Sequence, residues 1–341
     1  MHHTLPSPPP TPVFPPELCD LIIDHLHNDS ASLLACALVC KSWLPRSRSH
    51  LFPEHFTFKL RQSNISKFRS CLEAHDAGFE TFIRRIAVFS PWVQDVQLFD
   101  QLEDTVRYLL HLKAVSFTAA PDLILRKPTL IRMLSQSIMS LSLRCDSGGA
   151  EEGINGGEIL EIVSSFSLKL EKLELELDTL GLWLAEPVQV HAPFPKLCMV
   201  RLRYLRLSVP WNSILPWLLL PDFAEFPLLD TLVVEIGNTQ TRQGDRRLLQ
   251  AFLDLCAGTV KELEIRFYYG SLPAIDLGKF ISLRSLILKG WHFSNTNVQG
   301  IQSKIDKLIS TVAKERAVCV EVKNEVKVVL RGKHNSNAPN D

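Results

Sequence analysis

The chain has 341 residues, 46% of them hydrophobic, enough for one large body or two modest domains with buried cores and too apolar for disorder throughout. Lys plus Arg and Asp plus Glu both number 37, so the whole-chain field draws the molecule to neither nucleic acid nor an anionic membrane, and charged partners are met locally. Eight cysteines without CxxC pairs read as thiols of a reducing compartment, the cytosol or nucleus.

Residues 1–12 form a proline-rich, solvated lead-in without the apolar core of a secretory signal, and no stretch reaches the ~20 apolar residues of a membrane span. The composition changes at Phe14. Pro15 and Pro16 suit a first helical turn, and Glu17 places an acid near its positive end. Leu18, Leu21, Ile22 and Leu26 then recur at intervals of three and four, an apolar stripe on one helix. Asn28, Asp29 and Ser30 offer turn and capping chemistry, so a second helix is predicted from Ser30 or Ser32.

From Leu33 the run LLACALVCKSW is more apolar than one face of a solvated helix needs. About 40 residues rarely sustain an independent core, so a further surface must be covered by the rest of the chain or by a second protein. The ordered string Phe14-Pro15-Pro16-Glu17-Leu18, Leu21, Ile22, Leu26, Leu33-Leu34 and Ala37-Leu38-Val39-Cys40-Lys41-Ser42-Trp43 resembles an F-box, in the style of the F-box-like proteins of fungi. The resemblance covers residues 13–52. It implies a three-helix motif that docks on the Skp adaptor, and through it on cullin, in a Skp/cullin/F-box ubiquitin ligase. The adaptor-facing positions it implies are Pro16, Leu18, Leu21, Ile22, Leu26, Leu33, Leu34, Leu38, Val39 and Trp43. Phe14 stands where the family usually has leucine, and Pro45 predicts a shortened or kinked third helix. The alternative for this segment is a helical subdomain packed on its own body.

Residues 53–330 carry a recurring pattern, apolar-x-x-apolar-x-apolar. It occurs at Ile83/Ile86/Val88, Leu112/Val115/Phe117, Ile138/Leu141/Leu143, Leu170/Leu173/Leu175 and Leu197/Val200/Leu202. The last overlaps Leu202/Leu205/Leu207, and Leu229/Leu232/Val234, Val260/Leu263/Ile265, Leu283/Leu286/Leu288 and Ala317/Val320/Val322 follow. Segments of helical periodicity at 100–110, 157–166, 246–257 and 298–313 lie between them. The repeat length falls in the range of leucine-rich repeats, and the predicted fold class is α/β: an irregular leucine-rich-repeat-like solenoid with parallel strands inside and helices outside. An ordinary parallel α/β sheet is the second architecture. The Asn or Cys that follows the last strand position in leucine-rich repeats is replaced by Asp178 and Gly237, so the repeats are degenerate.

On a solenoid, the residues between the apolar anchors face the inner wall. That places Lys172, Glu174, Glu176, Arg201, Arg203, Glu235, Glu262, Glu264, Arg266 and Lys289 together as a mixed-charge surface for a protein substrate. Paired, solvated strand charges are the plainer alternative. The glycine-rich stretch at 145–157 has no Gly-Lys-Ser/Thr and reads as a surface loop, and residues 331–341 read as a disordered tail. Cys36 and Cys40 with His50 and His55 miss zinc-finger spacing and read as core cysteines beside unrelated histidines, and His25 and His27 cannot share a helix face; no metal or cofactor is expected. No Gly-x-Ser-x-Gly elbow or supported cysteine nucleophile occurs. The function expected is therefore that of a non-catalytic substrate receptor. The alternatives are a repeat scaffold that recruits no ligase, and an α/β enzyme whose site the sequence hides.

Overall fold

The computed structural model describes residues 15–324 apart from 75–77, 91–95, 120, 146–155, 178–198, 210, 220–224, 237–242, 269–271, 273, 292–297 and 313–317. The lead-in 1–12, Phe14, the tail 331–341, Asp178, Gly237 and most of the glycine-rich stretch lie outside the described residues.

Three helices come first: α1 (Pro16–His25), α2 (Ser30–Val39) and α3 (Leu44–Leu51). Pro15 and Pro16 begin α1 because a first turn needs no backbone donor, and Glu17 sits in that turn. Asp29 caps α2 by accepting from Ala31 N at 3.0 Å and Ser32 N at 3.2 Å. Pro45 does not shorten or kink a helix as the sequence predicted. It lies in the first turn of α3, where its missing N–H has no acceptor to serve.

The body is a ten-stranded, all-parallel sheet whose spatial order follows the chain. Its strands are β1 (Phe58–Leu60), β2 (Arg85–Phe89), β3 (Ala114–Thr118), β4 (Ser140–Cys145), β5 (Lys172–Leu177), β6 (Tyr204–Ser208), β7 (Thr231–Ile236), β8 (Glu262–Tyr268), β9 (Ser285–Trp291) and β10 (Cys319–Asn324). Between them run α4 (Ile65–Glu73), α5 (Val96–Val106), α6 (Pro121–Leu125), α7 (Pro128–Ser135), α8 (Gly156–Phe166), α9 (Trp211–Leu218), α10 (Gln243–Cys256) and α11 (Val298–Thr311).

The middle apolar residues of the repeats stand in one register across the sheet. Ile86 pairs with Val115, Val115 with Leu141, Leu141 with Leu173, Leu173 with Leu205, and the row continues through Leu232, Leu263 and Leu286 to Val320. A sequential order has no point where the strand order reverses, which separates this solenoid-like arrangement from a doubly wound sheet. Of the overlapping triplet Leu197/Val200/Leu202, Leu197 lies outside the described residues, and Val200 and Leu202 are not in a strand. Leu202/Leu205/Leu207 supplies β6, and Val200 is exposed in the turn before it. Phe58–Leu60 and α4 form an additional first repeat that the triplet pattern did not reveal.

One core runs through the body. The alternate strand residues Ile86, Val88, Val115, Phe117, Leu141, Leu143, Leu173 and Leu175 are buried against helix residues such as Leu98, Phe99, Leu130, Ile159 and Phe252. The intervening strand residues make an open face. The starts of β3 to β9 repeat one hydrogen-bonding device: Lys113 N and Ala114 N both donate to Arg84 O, Met139 N and Ser140 N to Lys113 O, and the same pairing recurs to β9, where Arg284 N and Ser285 N donate to Lys261 O. The rim of the sheet is thereby satisfied at its backbone, and its side chains are left for other work.

Candidate functional site: the N-terminal helices and the open face

Helices α1 and α2 each carry two apolar stripes. On α1, Cys19 and Ile23 are buried, while Leu18, Leu21 and Ile22, on another side of the helix, are 44–55% exposed. On α2, Leu33 and Cys36 are buried, while Leu34, Leu38 and Val39 are 56–86% exposed. Ile23, Leu33 and Cys36 form a small core of their own, closed at its sides by Leu26, Trp43 and Leu51. Six of the sixteen exposed large hydrophobics among the described residues thus fall between Leu18 and Val39, a concentration that scattered surface leucines do not produce.

Of the ten adaptor-facing positions, Pro16, Leu18, Leu21, Ile22, Leu34, Leu38 and Val39 are exposed. Leu33 is corrected: at 1% exposure it belongs to the small core and has no surface to offer. Leu26 and Trp43 are half-buried against the same core. Cys40 is corrected as well. It is exposed beyond the end of α2, its Sγ 3.0 Å from Ser42 Oγ, and that bond holds the thiol below its ordinary range. Cys36 is buried as expected.

Helices α1 and α3 are tied by charge. Arg46 donates from Nε and Nη2 to the two oxygens of Asp24, both at 2.5 Å, and His50 Nε2 lies 2.7 Å from Asp24 Oδ1. The Arg46 fork first, and His50 second, hold the Asp24 carboxyl well below the usual carboxylate range. At the other end, an aromatic bracket joins α3 to the body: Phe58 lies 4.9–5.5 Å, centroid to centroid, from Phe52, Phe56, Phe68 and Phe79. Arg84 Nη1 adds a 2.7 Å bond to Glu54.

The open face carries eight of the ten charges expected there: Lys172, Glu174, Glu176, Glu235, Glu262, Glu264, Arg266 and Lys289 all occupy outward register positions. Arg201 and Arg203 do not. They lie in the turn before β6, because the register is set by Leu205 and Leu207 and the outward residue is Arg206. Arg206 and Arg144 are the residues that sequence reasoning missed: the position between the last two apolar residues of its triplet would have found Arg206, and the position after the last apolar residue would have found Arg144.

These charges engage one another. Glu176 takes Arg144 at 3.4 Å and Arg206 at 4.0 Å; Glu235 takes Arg206 at 3.1 Å and Arg266 at 3.9 Å; Glu264 takes Arg266 at 2.6 Å and Lys289 at 2.7 Å. A chain of alternating charge therefore crosses six strands. Burial opposes the Glu264 charge most strongly, but the bonds from Lys289 and Arg266 outweigh it and hold the carboxyl below its ordinary value. Lys172 pairs with Glu174 at 2.9 Å and stands 4.6 Å over the Tyr204 ring.

Among the described residues no three His, Cys, Asp or Glu side chains gather as metal ligands do, and no helix is long and apolar enough to cross a membrane. The chain matches no model of a known protein family and no curated protein.

Proposed function

We propose that this protein is a non-catalytic substrate receptor of a Skp/cullin/F-box ubiquitin ligase in the cytosol or nucleus, with α1 and α2 docking on the Skp adaptor and the repeat body holding a protein substrate. The observation that carries the reading is the second apolar stripe, Leu18, Leu21, Ile22, Leu34, Leu38 and Val39, which the chain's own later segments leave exposed. Covering a fully exposed aliphatic side chain contributes about 1.5–3 kcal/mol, so a partner that closes this stripe gains a strong apolar driving force. The receptor acts by position: it holds a substrate near a charged ubiquitin-conjugating enzyme and raises effective concentration without making or breaking bonds.

The test is co-purification with the Skp adaptor. Leu21→Asp is expected to abolish binding, because an uncompensated carboxylate would be buried where an aliphatic contact stood. Adding Leu38→Asp should then change little. Retained adaptor binding by the single variant, with its helical content intact, would overturn the proposal.

A further inference from the structure

The turns ahead of β3, β5, β6, β7 and β9, at the rim where the sheet begins, hold a second row of exposed aliphatic side chains. Leu110, Leu168, Val200 and Ile281 are 44–78% exposed and each stands four residues before the first register residue of its strand, Ala114, Lys172, Tyr204 and Ser285. Leu228, 48% exposed, stands three before Thr231. Leucine, valine and isoleucine recur on solvent at one structural position in four repeats and one residue later in a fifth, and core formation explains none of them.

The same rim is basic, in a molecule with 37 cationic and 37 acidic residues overall. Two grooves open along it. The first, about 290 Å³, is lined by Arg84, Arg85, Lys113 and Lys172 against Glu54 and Glu171. Glu54 is already taken by Arg84 and Lys172 by Glu174, while Lys113 makes no ion pair among the described residues, so Arg85 and Lys113 against Glu171 leave the groove a cationic surplus. The second, about 330 Å³, sets Arg203 and Lys261 around Asp230 and has Leu228 in its wall. Lys261 at 2.6 Å, with Arg203 at 3.9 Å, holds the Asp230 carboxyl below its ordinary range, so that acid is neutralised in place. The open face, by contrast, spends most of its charges on one another.

We propose that this rim, rather than the charge-paired open face, is where the substrate docks, and that its occupant is an extended acidic protein segment with interspersed aliphatic side chains. The inference rests on the receptor reading for the word substrate alone. Acidic side chains meet the surplus cations of the two grooves, and aliphatic ones cover the row from Leu110 to Ile281. Such a contact steers association electrostatically and weakens with salt.

The test uses the full chain alone, without adaptor, so its failure is separable from failure to bind Skp. Fluorescence anisotropy is read with a labelled peptide of repeated Glu-Leu-Glu-Gly units, against the same peptide with lysine for glutamate, and flotation is read with phosphatidylcholine vesicles containing phosphatidylserine. The acidic peptide is expected to bind and the basic one not. Arg85→Glu with Lys113→Glu, and separately Leu110→Ser with Leu228→Ser, should each weaken binding at least about tenfold while melting as wild type. Arg144→Gln, at the far end of β4 on the open face, should bind as wild type. The proposal is overturned if the acidic peptide does not bind, if the rim variants bind it as tightly as wild type, if Arg144→Gln is the variant that loses it, or if the vesicles bind and the peptide does not.

Discussion

Leu33 and Leu38 lie on one helix and have the same chemistry, yet they serve opposite purposes, and a pair of alanine variants separates them. Leu33 is 1% exposed within a core of three buried residues, so Leu33→Ala leaves a cavity that so small a core closes poorly. It should cost about 2–3 kcal/mol and lower the helical signal, and on the proposed function it reduces adaptor binding through that unfolding. Leu38, at 86% exposed, should lose binding on change to Ala with circular dichroism and melting unchanged. Asp24 sets the pH response of the same region. Its carboxyl is lowered in the folded chain by Arg46 and then His50, so the stability it contributes is complete above the unfolded carboxylate value of about 3.9 and is lost as the pH falls through the lower, folded value. Acid titration followed by circular dichroism should show α1–α3 loosening in strong acid, and Asp24→Asn should remove that acid-dependent step while lowering stability at neutral pH. An unchanged acid limb in Asp24→Asn would show that the clamp does not control this region.

At the level of elements, the boundary between the helical hook and the body is a packed joint. Phe58 on β1 contacts Phe52 at the end of α3, Phe56, Phe68 on α4 and Phe79, with edge-on and tilted rings, the geometries aromatic pairs prefer. A receptor that works by holding a substrate at a set distance from a ligase needs such a joint, because a loose one spreads the substrate over a large volume. Phe58→Ala should cost about 3 kcal/mol and open residues 52–57 to limited proteolysis ahead of the rest of the chain. Cleavage no faster than in wild type would mean the joint is held elsewhere.

At the scale of the whole molecule, each strand of the sheet pairs only with its neighbours in the chain. Stability in such an array is a sum of repeat and nearest-neighbour contributions, so damage stays local. Leu286→Ala, at a fully buried site on β9, is expected to cost about 2–5 kcal/mol and to speed hydrogen exchange in β8–β10 while β2–β4 keep their protection. Uniform loss of protection across the sheet would instead mark a single cooperative body. The linear order also governs where function sits: with no reversal of strand order there is no crevice of the kind doubly wound sheets use for small ligands, and the surfaces on offer are long ones, an open face and a rim.

The body's register was legible in the residues because a strand buried on one face writes its period of two directly into the chain; the apolar triplets from Ile86 to Val320 mark β2 to β10 with a single false member. The periodic helices at α5, α8, α10 and α11 were legible for the same reason, whereas β1 and the short helices α6, α7 and α9 span too few turns or pleats for a period to emerge. Composition also established that the run from Leu33, which became α2, has more apolar surface than one face can hide, and periodicity gave α1 a single apolar stripe. Which stripe turns inward was decided by tertiary packing alone, since periodicity says which side chains share a face and nothing about what meets it: Ile23 and Leu33 went to the core, and Leu21 and Leu38 were left in water. The pairing of Glu235 with Arg206, and the departure of Arg203 to the rim, were likewise settled only when neighbouring repeats came into register, because those contacts join residues about 30 positions apart that no local pattern connects.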